Sequence, residues 1–138
     1  MVAHRTDPYE LLIADDDPGF RETVRSVFEP HARLVEASCG EEAIEIVRQG
    51  SIDLVLLDIH MPHLSGIETL RVVKAMRESL PCIVLSAGLT EQLQQEAHVA
   101  QAQAVLKKPV TLRQLIGSVC QALELAYGDH DVIRWLPG

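Results

Sequence analysis

Short unbroken apolar runs alternate along this chain with longer segments of helical periodicity. The first run, Glu10 to Ala14, has the continuous apolar character of a strand buried on both faces. Asp17-Pro18 follows as an N-cap and N1 pair. It opens a helix with Phe20, Val24, Val27 and Phe28 on one face and Pro30 at its end. Arg33 to Ala37 reads as a second strand. Ser38-Cys39-Gly40-Glu41 then has the pattern of a capping box, starting a helix that runs to Gly50, a natural C′ residue. Asp53 to Leu57 is the third strand, and Met61-Pro62 marks the loop after it. Ser65-Gly66-Ile67-Glu68 is a second capping box, with Ile67, Leu70, Val73 and Met76 predicted inward. Pro81 precedes a fourth strand, Cys82 to Ser86. A Gln- and Ala-rich helix from about Thr90 to Ala100 and a fifth strand from Ala104 to Lys107 come next. Thr111-Leu112-Arg113-Gln114 caps a last helix whose buried stripe is predicted as Leu112, Leu115, Ile116, Val119 and Leu123.

Five βα units without hairpin turn signals specify an α/β fold, a parallel sheet with helices on both faces in three layers. In such sheets a ligand site lies beyond the carboxyl ends of the strands, near the switch in strand order. Asp15, Asp16, Asp58, Ser86 and Lys108 all fall at or just past the ends of the first, third, fourth and fifth strands. Two carboxylates about 4 Å apart repel by roughly 4 kcal/mol at an effective dielectric of 20. A fold that gathers three of them needs a cation or a proton to offset that cost. Asp17 is simply the helix cap.

Composition narrows the classes. A length of 138 residues with 47% hydrophobic and 23% charged residues fits one globular domain. A net charge of −8 and dispersed basic residues, with Lys107-Lys108 the only adjacent pair, argue against direct nucleic-acid binding. No apolar run is long enough to span a bilayer, and Met1 to Asp7 lacks the apolar core of a signal peptide. Three scattered cysteines, Cys39, Cys82 and Cys120, read as reduced thiols in a cytoplasmic protein. His60 and His63 form an H-x-x-H, but Pro62 between them and the lack of further Cys or His nearby argue against metal binding by their rings.

The acidic pair Asp15-Asp16, the segment Asp58-Ile59-His60-Met61-Pro62 with Gly66 following, Ser86-Ala87 and Lys108-Pro109 together resemble the receiver domain of bacterial response regulators, chemotaxis-regulator-like. The resemblance covers residues 9–126, and leaves 127–138 as a C-terminal tail or the start of a linker. It implies a flavodoxin-like, doubly wound five-stranded sheet in the order 2-1-3-4-5 with five helices. It implies that Asp58 takes a phosphoryl group from a phosphohistidine on a sensor histidine kinase or phosphotransfer protein. By the same resemblance Asp15, Asp16 and Asp58 hold Mg²⁺, with the main-chain carbonyl of His60 completing the protein ligands. Ser86 hydrogen-bonds one phosphoryl oxygen and Lys108 pairs with another. The Lys108-Pro109 bond is often cis in the family. His60 and Gly88, two residues past Asp58 and Ser86, sit where the family tunes phosphoryl lifetime. The output passes to a downstream protein target or effector domain, and a homodimer through the fourth helix, fifth strand and fifth helix is left open.

One position departs from the family pattern. Val105 stands where the family usually has Tyr or Phe, so the aromatic half of the usual switch is missing. The Gln-rich fourth helix is the expected alternative carrier, moving as a unit. For the tail, which contains the only Trp, the expectations in order are a frayed end, the start of a linker, and a segment packed on the domain. Other functional classes remain. A vestigial receiver acting as a phosphorylation-independent interaction module is the main one. A haloacid-dehalogenase-type phosphatase is disfavoured because Asp58-Ile59-His60 lacks the second acid that would serve as general acid. A flavin-phosphate site is disfavoured by the acidic pocket.

Overall fold

The computed structural model describes residues 7–137; the part of the N-terminal reading that falls on residues 1–6 lies outside them. Strands β1 (Glu10–Ala14), β2 (Arg33–Ala37), β3 (Leu54–Asp58), β4 (Cys82–Ser86) and β5 (Ala104–Lys107) alternate with helices α1 (Pro18–Phe28), α2 (Gly40–Arg48), α3 (Gly66–Met76), α4 (Glu91–Val99) and α5 (Leu112–Tyr127). All pairings are parallel, and the sheet order is β2-β1-β3-β4-β5. The order reverses between β1 and β3, which places a crevice beyond their carboxyl ends.

Alternate strand residues feed two cores. Leu11, Ile13, Leu54, Leu56, Ile83 and Leu85 pack with α1 and α5 on one face, through Val24, Phe28, Leu115 and Val119. Leu12, Ala14, Val55, Leu57 and Val84 pack with α2, α3 and α4 on the other, through Ala43, Val47, Leu70, Val73 and Ala97. Burial on both faces is why these strands carry no polar alternation. Among the described residues no helix is long and apolar enough to cross a membrane.

The caps mostly follow the sequence. Asp17 accepts the Gly19 amide at 2.9 Å with Pro18 at the first helical position. Ser65 with Glu68, and Thr111 with Gln114, form complete capping boxes. The box expected at Ser38 does not form. Cys39 is the N-cap of α2 without a side-chain bond, and Glu42 reaches back to the Ser38 amide at 2.7 Å. Tertiary packing sets this start: a Cβ on Gly40 would lie 2.1 Å from Thr69 Oγ1 of α3, so the first turn of α2 sits where only glycine fits.

Two residues expected inside are outside. Met76, the last residue of α3, is exposed, while Leu80 from the following loop is fully buried in the same core. Leu112, in the first turn of α5, extends beyond the end of β5 and is also exposed.

The tail is not frayed; it packs on the domain, the expectation placed third. Gly128 takes a left-handed conformation (φ 66°) and turns the chain, and His130–Trp135 forms a short 3₁₀ helix. Val132 is buried against α5, and its carbonyl accepts the Cys120 thiol at 3.0 Å. Trp135 stacks on His31 at 5.3 Å between ring centroids and meets Tyr9 and Phe28 edge-on. Buried Asp129 accepts the Tyr9 hydroxyl at 2.7 Å. The tail therefore closes the amino-terminal edge of the sheet, opposite the crevice.

Candidate functional site

The carboxyl ends of four strands converge on one pocket. β1 ends at Ala14, level with Leu57, so Asp15 and Asp58 emerge side by side. Asp58 is paired with Leu85 and Ser86 with Lys107, which brings Ser86 and Lys108 to the same rim. The Lys108 amide donates to the Ser86 carbonyl at 2.8 Å, and the Lys108-Pro109 bond is cis.

Asp15, Asp16 and Asp58 each place a carboxylate oxygen within 4.8 Å of the others. Asp15 and Asp58 are buried and Asp16 is exposed, so the cluster opens to solvent on one side. Three hard oxygen donors with one open flank suit a small divalent cation that keeps water ligands. The donor set thus fits a metal ion.

Lys108 supplies the local positive charge. Its Nζ lies 2.7 Å from Asp15 Oδ2 and 3.7 Å from Asp58 Oδ1, and 4.1 Å from the Phe20 ring centroid. Asp15 is anchored further: its Oδ1 accepts the Asp17 amide, and its carbonyl accepts Arg21 Nη1 at 2.7 Å. Arg21 also pairs with Glu36, which Arg25 shares, and these two guanidiniums hold the Glu36 carboxyl below its ordinary value.

Asp58 is pushed the other way. Burial raises its carboxyl above the ordinary value and the neighbouring Asp15 charge adds to this. Lys108 and the His60 amide pull it down, and Asp16 raises it. One ammonium among three carboxylates leaves the pocket short of positive charge.

The loop after β3 is held by close backbone packing. The Gly66 amide donates to the Ile59 carbonyl at 2.8 Å, and a Cβ on Gly66 would sit 2.2 Å from the Asp58 carbonyl oxygen. Glycine is required there for α3 to start against the residue that ends β3. His60 is exposed in this loop, and its Nε2 lies 3.1 Å from Ser86 Oγ. Elsewhere, burial pushes the Cys82 thiol up to about 12 and the Cys120 thiol to about 11, which keeps both protonated and unreactive near neutrality.

The sequence-predicted residues Asp15, Asp16, Asp58, Ser86 and Lys108 are thus brought to one rim. Three contacts were not foreseen: Phe20 beneath Lys108, Arg21 on the Asp15 carbonyl, and the His60 ring on Ser86. Phe20 was legible only as an apolar residue on the inner face of α1. That Lys108 lies over it depends on how α1 and β5 meet, which periodicity does not encode.

Comparison with known proteins is consistent across sequence and fold. The family model described as "Response regulator receiver domain" matches residues 11–120. The response regulator MprA of Mycobacterium sp. (strain KMS) is 33% identical over 124 residues, covering 89% of this chain and 54% of that protein. The transcriptional regulatory protein PdtaR of Mycobacterium tuberculosis is 32% identical over 133 residues, covering 95% of this chain and 62% of that protein. This chain spans about half of MprA and somewhat more of PdtaR. Among solved structures, the complex of CheX and CheY with BeF3 and Mg from Borrelia burgdorferi matches with TM-score 0.80 at 26% identity, covering 85% of this chain and 90% of that one. A CheY-like receiver domain protein from Methanospirillum hungatei matches in fold with TM-score 0.84 at 22% identity, over 87% of this chain and 97% of that one. A family match over most of the chain, and relatives of one kind with the same five-stranded architecture, place this chain in the response regulator receiver domain family of two-component signalling.

Proposed function

We propose that this chain is a working phosphoacceptor, with Asp58 as the nucleophile. The observation that carries the reading is the three-carboxylate cluster with Ser86 and Lys108 on the same rim. An Asp58 carboxylate oxygen attacks the phosphorus of a phosphohistidine on a sensor histidine kinase or phosphotransfer protein. The new O–P bond forms as the N–P bond breaks, and the electron pair returns to the donor's imidazole. Such transfers pass through a loose transition state, so positioning and charge neutralisation do most of the work. Ser86 donates a hydrogen bond to one phosphoryl oxygen, and Lys108 moves from Asp15 toward another. Asp15, Asp16, Asp58 and the His60 carbonyl would hold Mg²⁺, which would supply charge neutralisation between these acids and the incoming oxygens.

The physical balance favours this over a vestigial module. A site that had lost its chemistry gains nothing from an acid raised by burial and by its acidic neighbours and served by one lysine. The relative from Borrelia burgdorferi solved with BeF3 and Mg supports the same use of the pocket. Signal output goes to a downstream protein or effector domain. Val105 is half-buried against the α4 face of the core and has no ring to move there; the Gln-rich α4 moving as a unit is the proposed carrier. The receiver unit is taken as 9–126, with 127–138 an addition closing its far edge.

Incubation with acetyl phosphate and Mg²⁺, read by intact mass, tests the proposal. One added phosphoryl group on the wild type and none on Asp58→Asn is expected. No addition to the wild type would favour the interaction-module reading.

A further inference from the structure

Ser86 is wholly buried, and the hydrogen-bond partner of its hydroxyl among the described residues is His60 Nε2, 3.1 Å away. A buried hydroxyl proton needs an acceptor, and Nε2 is the one within reach. With Ser86 donating, Nε2 is the acceptor, the tautomer that carries its ring proton on Nδ1. The ring comes in from the solvent side. His60 is exposed, and a Cβ on Gly88 would lie 3.6 Å from Nε2, so the glycine leaves no side chain of the β4–α4 loop across the ring's path.

The argument rests on the phosphoacceptor reading. A phosphoryl oxygen on Asp58 only accepts hydrogen bonds, and Ser86 has a single O–H to give. The phosphoryl group and His60 therefore compete for one proton. The geometry points to His60 as a latch: a positioning residue whose imidazole holds the Ser86 hydroxyl in the unphosphorylated protein and is displaced when the phosphoryl oxygen takes that hydroxyl. The ring is then a side chain that changes surroundings on phosphorylation, which Val105 lacks the atoms to do. Released from Ser86, the imidazole turns outward between the β3–α3 and β4–α4 loops, on the rim a partner meets when it reaches Asp58.

The test uses the full chain with beryllofluoride as phosphoryl mimic and Mg²⁺, followed by NMR. In the wild type the His60 ring ¹⁵N signals shift at saturation. They move toward the values of beryllofluoride-free Ser86→Ala, where Nε2 has lost its donor. His60→Ala lowers the half-saturating beryllofluoride concentration about fivefold, the worth of one neutral hydrogen bond no longer given up. That gain disappears in the Ser86→Ala background, which a purely structural effect of His60 would not do. A ring that keeps its free-state signals at saturation, or an equal gain in both backgrounds, overturns the latch while leaving the phosphoacceptor site intact. Failure of the wild type to bind beryllofluoride overturns the underlying reading and the latch with it.

Discussion

Replacing Asp58 by Asn should make the metal-free protein more stable, although it removes the residue on which function is proposed to depend. Asp58 and Asp15 lie with carboxylate oxygens within 4.8 Å, worth about 3.5 kcal/mol of repulsion at an effective dielectric of 20. Lys108 returns about 4.5 kcal/mol to Asp58 at 3.7 Å on the same basis. These two terms nearly offset each other, so the balance falls to burial and Asp16. Asp16 adds a further, water-screened repulsion, and burial penalises the Asp58 charge itself. The raised Asp58 carboxyl is the net result. Asparagine keeps an oxygen for the His60 amide and removes the charge. The expected gain in chelator at pH 7 is on the order of 1 kcal/mol, or a few °C in Tm for a domain of this size. Urea unfolding of wild type and Asp58→Asn measures it.

The pH dependence follows in sign. A group whose folded value is raised contributes stability that is fully present below its unfolded value, near 3.8, and lost as pH rises through the elevated folded value. The advantage of Asp58→Asn should therefore close as pH falls toward 3.8. Mg²⁺ should reverse the order near neutrality, stabilising the wild type by about 2.7 kcal/mol at one hundred times its Kd while leaving Asp58→Asn largely unmoved. An asparagine variant no more stable than wild type in chelator, or one that gains as much from Mg²⁺, would refute the electrostatic account of the pocket.

Gly66→Ala should cost about 2 to 3 kcal/mol in urea unfolding, because its Cβ would sit 2.2 Å from the Asp58 carbonyl oxygen and backbone must shift. The same shift should slow phosphoryl uptake at Asp58; a variant with wild-type stability and uptake would contradict the packing argument. Trp135→Ala should cost about 2 kcal/mol, since the half-buried indole joins His31, Tyr9 and Phe28. Ile133→Ala, on the exposed side of the same 3₁₀ turn, should stay within about 0.5 kcal/mol. Equal losses at both positions would mean the tail is held in some other way.

How far the sequence could be read depends on how local each determinant is. Strands β1, β3 and β4 were legible because burial on both faces leaves an unbroken apolar run, whereas the partly exposed edge strands β2 and β5 were legible from their place in the alternation. The helix starts at Asp17, Ser65 and Thr111 were legible because a cap is a contact within four residues. Ser38 shows the limit. Its pattern matched a capping box as well as Ser65 did, but the contact between Gly40 and Thr69 places the first turn of α2 one residue later. Met76 and Leu112 kept their helical phase yet lie at helix ends, past the core that would have covered them. The tail went astray for a similar reason: its anchors, Tyr9, His31 and Cys120, are distant in sequence. At the site, the order and spacing of Asp15, Asp16, Asp58, Ser86 and Lys108 were visible because strand ends in a parallel sheet must align. The bond from Ser86 to His60 was not, since it depends on how two loops meet above the sheet.

Asp58 itself is proposed to carry the phosphoryl group. After incubation with acetyl phosphate and Mg²⁺, borohydride reduction converts an acyl phosphate to a stable alcohol, and peptide mass mapping locates it. Homoserine is expected at position 58, absent when Mg²⁺ is chelated and absent in Asp58→Asn. Modification at Asp15 or Asp16 instead, or no modification at any residue, would contradict it.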